Sequence, residues 1–236
     1  MSNPYFKFKQ FTVWHDKCAM KVGTDGVLLG AWCACQGTKR ILDIGCGTGL
    51  IALMLAQRTD ALIDALDIDA DACLQARENV ARSPFAEKIR VVQADLARFA
   101  DEQAGIQAYD CIVSNPPFFV DSLKCPDRKR TLARHTDSLP LHRLLADSHR
   151  LLADEGSLHL ILPFSQRERL QEVAFHEGLF MNRETHVYPT PTSQPKRLLV
   201  SLSRQRQGTL PTRLTIEQEP RCYTEEFATL VAPFYL

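Results

Sequence analysis

Two short stretches carry residue types that could do chemistry together. Asp43-Ile44-Gly45-Cys46-Gly47-Thr48-Gly49 follows the apolar run Arg40-Ile41-Leu42. Three glycines there let a backbone turn sharply after a strand and approach a ligand with no Cβ in the way. Asn115-Pro116-Pro117-Phe118 ends a second apolar run, Tyr109 to Ser114. The two prolines fix the backbone and remove two donors, so the carbonyls preceding them are available to a substrate rather than to a ladder. An amide oxygen, a free carbonyl and an aromatic face in four residues suit a planar nitrogen conjugated to a π-system. Its two N–H groups would be accepted by the Asn115 side chain and the Pro116 carbonyl, and Phe118 would stack on the ring, a contact worth roughly 1–3 kcal/mol per base.

The glycine turn alone is weak. Gly47-Thr48-Gly49-Leu50-Ile51-Ala52 also fits a loose dinucleotide pattern, with Asp67 near the spacing of a ribose-binding acid. Asp43 separates the two readings, because a carboxylate just before the glycines repels a pyrophosphate and attracts a cation. The ammonium and sulfonium of S-adenosyl-L-methionine are such cations. Asp43, Asp67 and Asp95 close three successive strand-like runs. Each alone reads as a solvated strand end, but together they converge on one edge.

The elements that must hold these residues alternate. Strands are expected over 40–44, 61–69, 89–95, 109–114, 156–163, 181–188 and 197–203, and helices over 50–57, 70–82, 139–153 and 165–178, the last closed by Gly178. This predicts an α/β fold with a doubly wound, Rossmann-like sheet, mostly parallel with an antiparallel strand near one edge, the last two strands closing as a hairpin. The 236 residues suit one domain: a segment 1–39 preceding the core, a core 40–204 and an extension 205–236. Lys21-Val22-Gly23-Thr24-Asp25-Gly26 reads as a turn-rich segment with an acid.

Composition excludes several classes. The eight cysteines form no C-x-x-C and the seven histidines no H-x-x-x-H or H-x-E, so reduced buried thiols and no catalytic metal are expected. No secretory leader and no uncharged run of membrane-spanning length is present, which predicts a cytoplasmic protein. Net charge is zero, against a strong nonspecific polyanion binder, yet residues 1–40 carry six basic and two acidic residues and 111–150 carry seven and four. Within Lys124 to Arg134, five basic residues (Lys124, Arg128, Lys129, Arg130 and Arg134) stand against one acid, a place for phosphates to dock.

The glycine turn with Asn-Pro-Pro-aromatic resembles class I S-adenosylmethionine-dependent methyltransferases acting on amino nitrogens. The resemblance implies that Asp43 through Gly49 binds the cofactor. Asp67 would hold its ribose hydroxyls, Ile68 would pack on the adenine and Asp95 would bond the adenine amino group. Lys21, Thr24 and Asp25 would close over the methionine end. The opening run Phe8-Lys9-Gln10-Phe11 through Trp32 and the ending Tyr223-Thr224-Glu225-Glu226 with Phe234-Tyr235-Leu236 are similar to the bacterial tRNA1(Val) (adenine-37-N6)-methyltransferases. That family implies methylation of an adenine beside the anticodon and contact between the basic 124–134 segment and the anticodon arm; a monomer is expected, and no protein partner is inferred. Phe118 stands where relatives often carry tyrosine, and His135 where an aromatic tyrosine is expected. The motif also serves guanine N2 of ribosomal RNA, DNA adenine and a release-factor glutamine, and a non-enzymatic RNA adaptor that binds the cofactor is a further alternative.

Overall fold

The computed structural model describes residues 3–18, 21–103, 108–117, 139–208 and 210–236. Phe118 and the basic residues Lys124, Arg128, Lys129, Arg130 and Arg134, with His135, lie outside the described residues.

The core is built from β3 (Arg40–Ile44), α2 (Leu50–Arg58), β4 (Leu62–Asp67), α3 (Ala70–Ala81), β5 (Ile89–Gln93), α4 (Leu96–Gln103), β6 (Tyr109–Ser114), α5 (Leu141–Leu151), β7 (Leu152–Pro163), α6 (Arg167–His176), β8 (Phe180–Tyr188) and β9 (Arg197–Ser203). Before it come β1 (Tyr5–Lys7), β2 (Thr12–Trp14) and α1 (Thr24–Trp32), and after it β10 (Thr212–Thr215), β11 (Glu217–Glu219), β12 (Cys222–Tyr223) and α7 (Glu225–Val231). The main sheet has eight strands in the order β10-β8-β9-β7-β6-β3-β4-β5. Strands β5, β4, β3, β6 and β7 are mutually parallel, and β9 runs antiparallel to both β7 and β8.

The strands β3, β6 and β7 are buried on both faces, which is why they read as continuous apolar runs rather than alternating ones. One face packs α1, α2 and α7 through residues such as Val27, Leu53, Phe227 and Val113. The other packs α4 and α5 through Phe99, Leu144, Ile112 and Leu158. The expected doubly wound sheet is therefore present, and the strand and helix bounds lie close to those read from the sequence.

Three features differ from expectation. The two late strands do pair antiparallel, but β9 inserts between β7 and β8, and the edge is taken by β10 from the 205–236 stretch. That stretch is not an appendage, since Phe227, Val231 and Phe234 enter the core and the Phe234 carbonyl accepts from the Lys9 backbone at 2.8 Å. The segment around Thr24 and Asp25 is a helix. Its turn-like composition misled because Gly26 and Gly30 serve close packing instead: a Cβ on Gly30 would sit 2.8 Å from Met54 Sδ and 3.0 Å from its Cβ.

Gly30→Val should therefore force α1 off α2 and cost about 1–3 kcal/mol, the usual cost of overpacking. Urea unfolding checks it; an unchanged midpoint would mean that α1 is not held by this contact.

Candidate active site

The chemistry-bearing residues gather at the carboxyl ends of the parallel strands, where the order steps outward from β3 in both directions. In open α/β sheets the crevice forms at this switch point. Asp43 is the penultimate residue of β3 and is fully buried. After it the loop turns with Gly45, Gly47 and Gly49 at φ 71°, 53° and 79°, left-handed values that other residues adopt only with strain. A Cβ on Gly45 or Gly47 would meet nothing within 4 Å, so both face open space beside the loop.

Neighbouring strands pin this loop. The N–H groups of Gly45 and Cys46 donate to the Leu66 carbonyl of β4 at 2.8 and 3.0 Å. Asp67 then crosses back, one carboxylate oxygen accepting from Gly47 N–H at 2.8 Å and the other from Asp69 N–H at 2.9 Å. On the far side Asn79 donates to the Thr48 carbonyl at 2.9 Å and to the Trp14 carbonyl of β2 at 2.8 Å. Ser114 Oγ donates to the Ile44 carbonyl at 2.8 Å. This bond ties the end of β6, which delivers Asn115, directly to the end of β3, which starts the glycine loop.

Asp43 is the electrostatic centre. Its Oδ2 accepts from the Ala52 N–H, in the first turn of α2, at 3.1 Å. That donor is one of the orphan amides of a helix whose N-cap, Gly49, has no side chain to offer. Its Oδ1 is buried and has no hydrogen-bond partner. Burial pushes the carboxyl up from 3.8 to about 7; the Ala52 hydrogen bond opposes that rise and the charge of Asp67 adds to it. A buried acceptor beside an open glycine loop fits a ligand that brings a cation or a donor, and it disfavours a pyrophosphate.

The remaining predicted residues line the same edge. Asn115 is half-buried directly after β6, with Pro116 buried and Pro117 exposed. Ile68 is 61% exposed, an apolar surface left without covering beside Asp67. Asp95 is exposed, and its Oδ1 accepts from the N–H groups of Ala97 and Arg98 at 2.9 and 3.3 Å, so it also caps α4. Thr24 opens α1, and Lys21 is exposed just before it. Asp25 accepts from Arg197 Nε at 2.8 Å, which brings the start of α1 to the start of β9, opposite Pro163 at the carboxyl end of β7. Sequence reasoning missed Ser114, Asn79 and Arg197. Their partners lie 70, 31 and 172 residues away along the chain, so no local pattern could have found them.

Comparison with known proteins gives the family and the fold class. Residues 26–177 match the family described as Methyltransferase small domain. A protein of Parabacteroides distasonis named tRNA1(Val) (adenine(37)-N6)-methyltransferase is 59% identical over 100% of this chain and 99% of its own. The chain belongs to this methyltransferase family. Among solved structures, a protein described as a predicted O-methyltransferase from Agrobacterium tumefaciens matches with a TM-score of 0.63 at 18% identity, covering 89% of this chain and 96% of its own. The glycopeptide N-methyltransferase MtfA, solved in complex with S-adenosyl-L-methionine, matches with a TM-score of 0.57 at 12% identity over 78% of this chain and 100% of its own. These structures establish a shared class I methyltransferase fold.

The raised Asp43 has a sign that can be tested. Its neutral form is favoured in the folded protein, so its contribution to stability is full below about pH 4 and is lost as pH rises through about 7. Asp43→Asn, which cannot ionise, should flatten that part of the stability profile. A cationic ligand should make the carboxyl ionise on binding near pH 6, releasing a proton. Calorimetric titration with S-adenosylhomocysteine in buffers of different ionisation enthalpy reads this release directly; none in the wild type would remove Asp43 from the cation's site.

Proposed function

We propose that this protein transfers a methyl group from S-adenosyl-L-methionine to N6 of the adenine at position 37, beside the anticodon, of tRNA1(Val). The observation that carries the reading is the tie between Ser114 and Ile44, which fixes the Asn115-Pro116-Pro117 turn beside the glycine loop and the unpartnered oxygen of Asp43. Near-full-length identity with relatives bearing that activity in their name supports the choice of substrate.

The cofactor supplies an activated methyl on a sulfonium. The protein's part is positioning and electrostatics. Asp43 would bind the cationic methionine end, with Asp25, Thr24 and Lys21 closing over it and the glycine loop (Gly45, Gly47 and Gly49) leaving room for the backbone to approach. Asp67 would accept from the ribose hydroxyls while holding Gly47, Ile68 would cover one adenine face, and Asp95 would accept from its amino group. At the other end the Asn115 side-chain oxygen and the Pro116 carbonyl would accept the two N–H bonds of the target adenine. This withdraws the nitrogen lone pair from the ring and aims it at the methyl. Pro117 would hold that turn rigid and Phe118 would stack on the base. No strong general base is needed, because the proton on the methylated nitrogen is acidic enough to pass to solvent. An anticodon-loop base is already partly unpaired, so presenting it costs less than extracting one from a duplex.

The basic residues Lys124, Arg128, Lys129, Arg130 and Arg134 would dock the phosphates of the anticodon arm. The whole chain would act as one cytoplasmic methyltransferase domain and as a monomer, with 1–39 capping the cofactor. No helix among the described residues is long and apolar enough to cross a membrane.

Labelled methyl transfer to bulk tRNA from a strain lacking this gene, with nucleoside analysis, tests the reading. Label should appear as N6-methyladenosine in valine tRNA; label absent from tRNA while cofactor binds would move the substrate to ribosomal RNA or protein. Asn115→Ala should lower turnover by about 10²–10³-fold, the scale of losing one preorganised polar contact in a transition state, with cofactor affinity unchanged. Reversing Lys129 and Arg130 to glutamate should abolish tRNA methylation and spare cofactor binding.

A further inference from the structure

Beneath α1, on the sheet face away from α4 and α5, three chemically soft side chains meet that the transfer reaction does not use. Cys33 caps the carboxyl end of α1, Cys111 lies in β6 and His159 lies in β7. The two sulfurs are 3.5 Å apart. A ring nitrogen of His159 joins them, so that the three atoms lie within 4.8 Å of one another, and all three residues are buried.

Two observations mark this as more than core packing. Neither ring nitrogen of His159 makes a hydrogen bond of ordinary geometry, although the side chain is only 1% exposed, and the polar group beside the ring is the Cys33 thiol. A buried imidazole left so costs free energy that a well-packed apolar residue would not. The register also places the pair deliberately: Cys111 and Val113 pair with Ser157 and His159, which puts Cys111 and His159 diagonally on one face, where Cys33 comes down from α1. Burial would raise the Cys33 thiol, but its hydrogen bond to Cys111, together with His159 and Arg58, holds it well below its ordinary value. Cys111 is pushed the other way by the same bond and by burial.

We propose that Cys33, Cys111 and His159 form a structural binding site for one thiophilic metal ion, Zn²⁺. Zinc takes sulfur at about 2.3 Å and imidazole nitrogen at about 2.0–2.1 Å, so tetrahedral ligands stand roughly 3.6–3.8 Å apart: the sulfurs, 3.5 Å apart, would open by a few tenths of an ångström, and the His159 nitrogen, within 4.8 Å of them, would close by up to about 1 Å. Two thiolates cancel the charge of Zn²⁺, so the filled site would be neutral in a core that penalises net charge. Binding forms two Zn–S bonds and one Zn–N bond, leaves the fourth tetrahedral position to a water carried in with the ion, and releases the thiol protons to solvent, so it weakens as pH falls. No reductant or oxidant is required. The ion would staple the end of α1 to β6 and β7, while the start of the same helix carries Thr24 and Asp25 at the candidate active site. The set escapes sequence motifs because its members lie in three separate elements.

The test uses the whole protein, unfolded in urea with a thiol reductant and refolded with Zn²⁺ or Co²⁺, since so buried a site fills during folding. About one zinc per chain by elemental analysis, and near-ultraviolet thiolate-to-cobalt absorption in the cobalt form, are expected. Both should be lost in Cys111→Ser and in Cys33→Ala, with folding checked by S-adenosylhomocysteine binding. Wild type that refolds without zinc and without the cobalt bands overturns the proposal. So does zinc that persists in either folded variant, or a Cys33–Cys111 disulfide in place of the metal.

Discussion

The site depends on a buried carboxylate that the protein itself satisfies only by half. Asp43 is fully buried, one oxygen meets the first turn of α2, and the other meets nothing. Removing a carboxylate from water costs several kcal/mol unless it is paired, so a group left in this state is poised either to take a proton or to take a cation. The pKa of about 7 expresses the first option, and cofactor binding would supply the second. Around this residue the glycine loop, the ends of β4 and β6 and the start of α2 are fixed by backbone bonds to Leu66 and by the side chains of Asp67, Ser114 and Asp43 itself, so a cationic ligand would meet a preformed surface rather than one it must assemble.

The same economy governs the reacting end. Ser114 is buried and donates to the Ile44 carbonyl, which leaves the turn after it no freedom to drift from the glycine loop. The prolines then stiffen the two following positions. A few tenths of an ångström matter when the task is to aim one lone pair at one carbon, and rigid strand ends hold such distances better than loops do. The helix α1 belongs to this arrangement at both ends, through Asp25 and Arg197 at its start and through Cys33 over the sheet at its finish.

Much of this was legible in the sequence because local pattern and local chemistry coincided. Apolar runs ending in Asp43, Asp67 and Ser114 gave both the strands and the edge on which the site lies. What stayed hidden was whatever depends on distant pairing. The insertion of β9 between β7 and β8 follows from tertiary pairing, and β10 is too short and half-exposed to show a period. The helix α1 was masked by Gly23 and Gly26 in the turn-like 21–26 segment, and only the packing of Gly26 and Gly30 against α2 shows what the glycines of the helix are for. The Asn79 clamp and the Cys33, Cys111 and His159 cluster likewise join residues that no spacing rule connects.

A structure of the protein with S-adenosylhomocysteine tests the central claim most directly. The account predicts that Asp43 Oδ1 gains the ligand's amino group, directly or through one water, while Asp67 keeps its bond to Gly47 and reaches the ribose hydroxyls. A ligand bound elsewhere on the sheet edge, with Oδ1 still unpartnered, would contradict it.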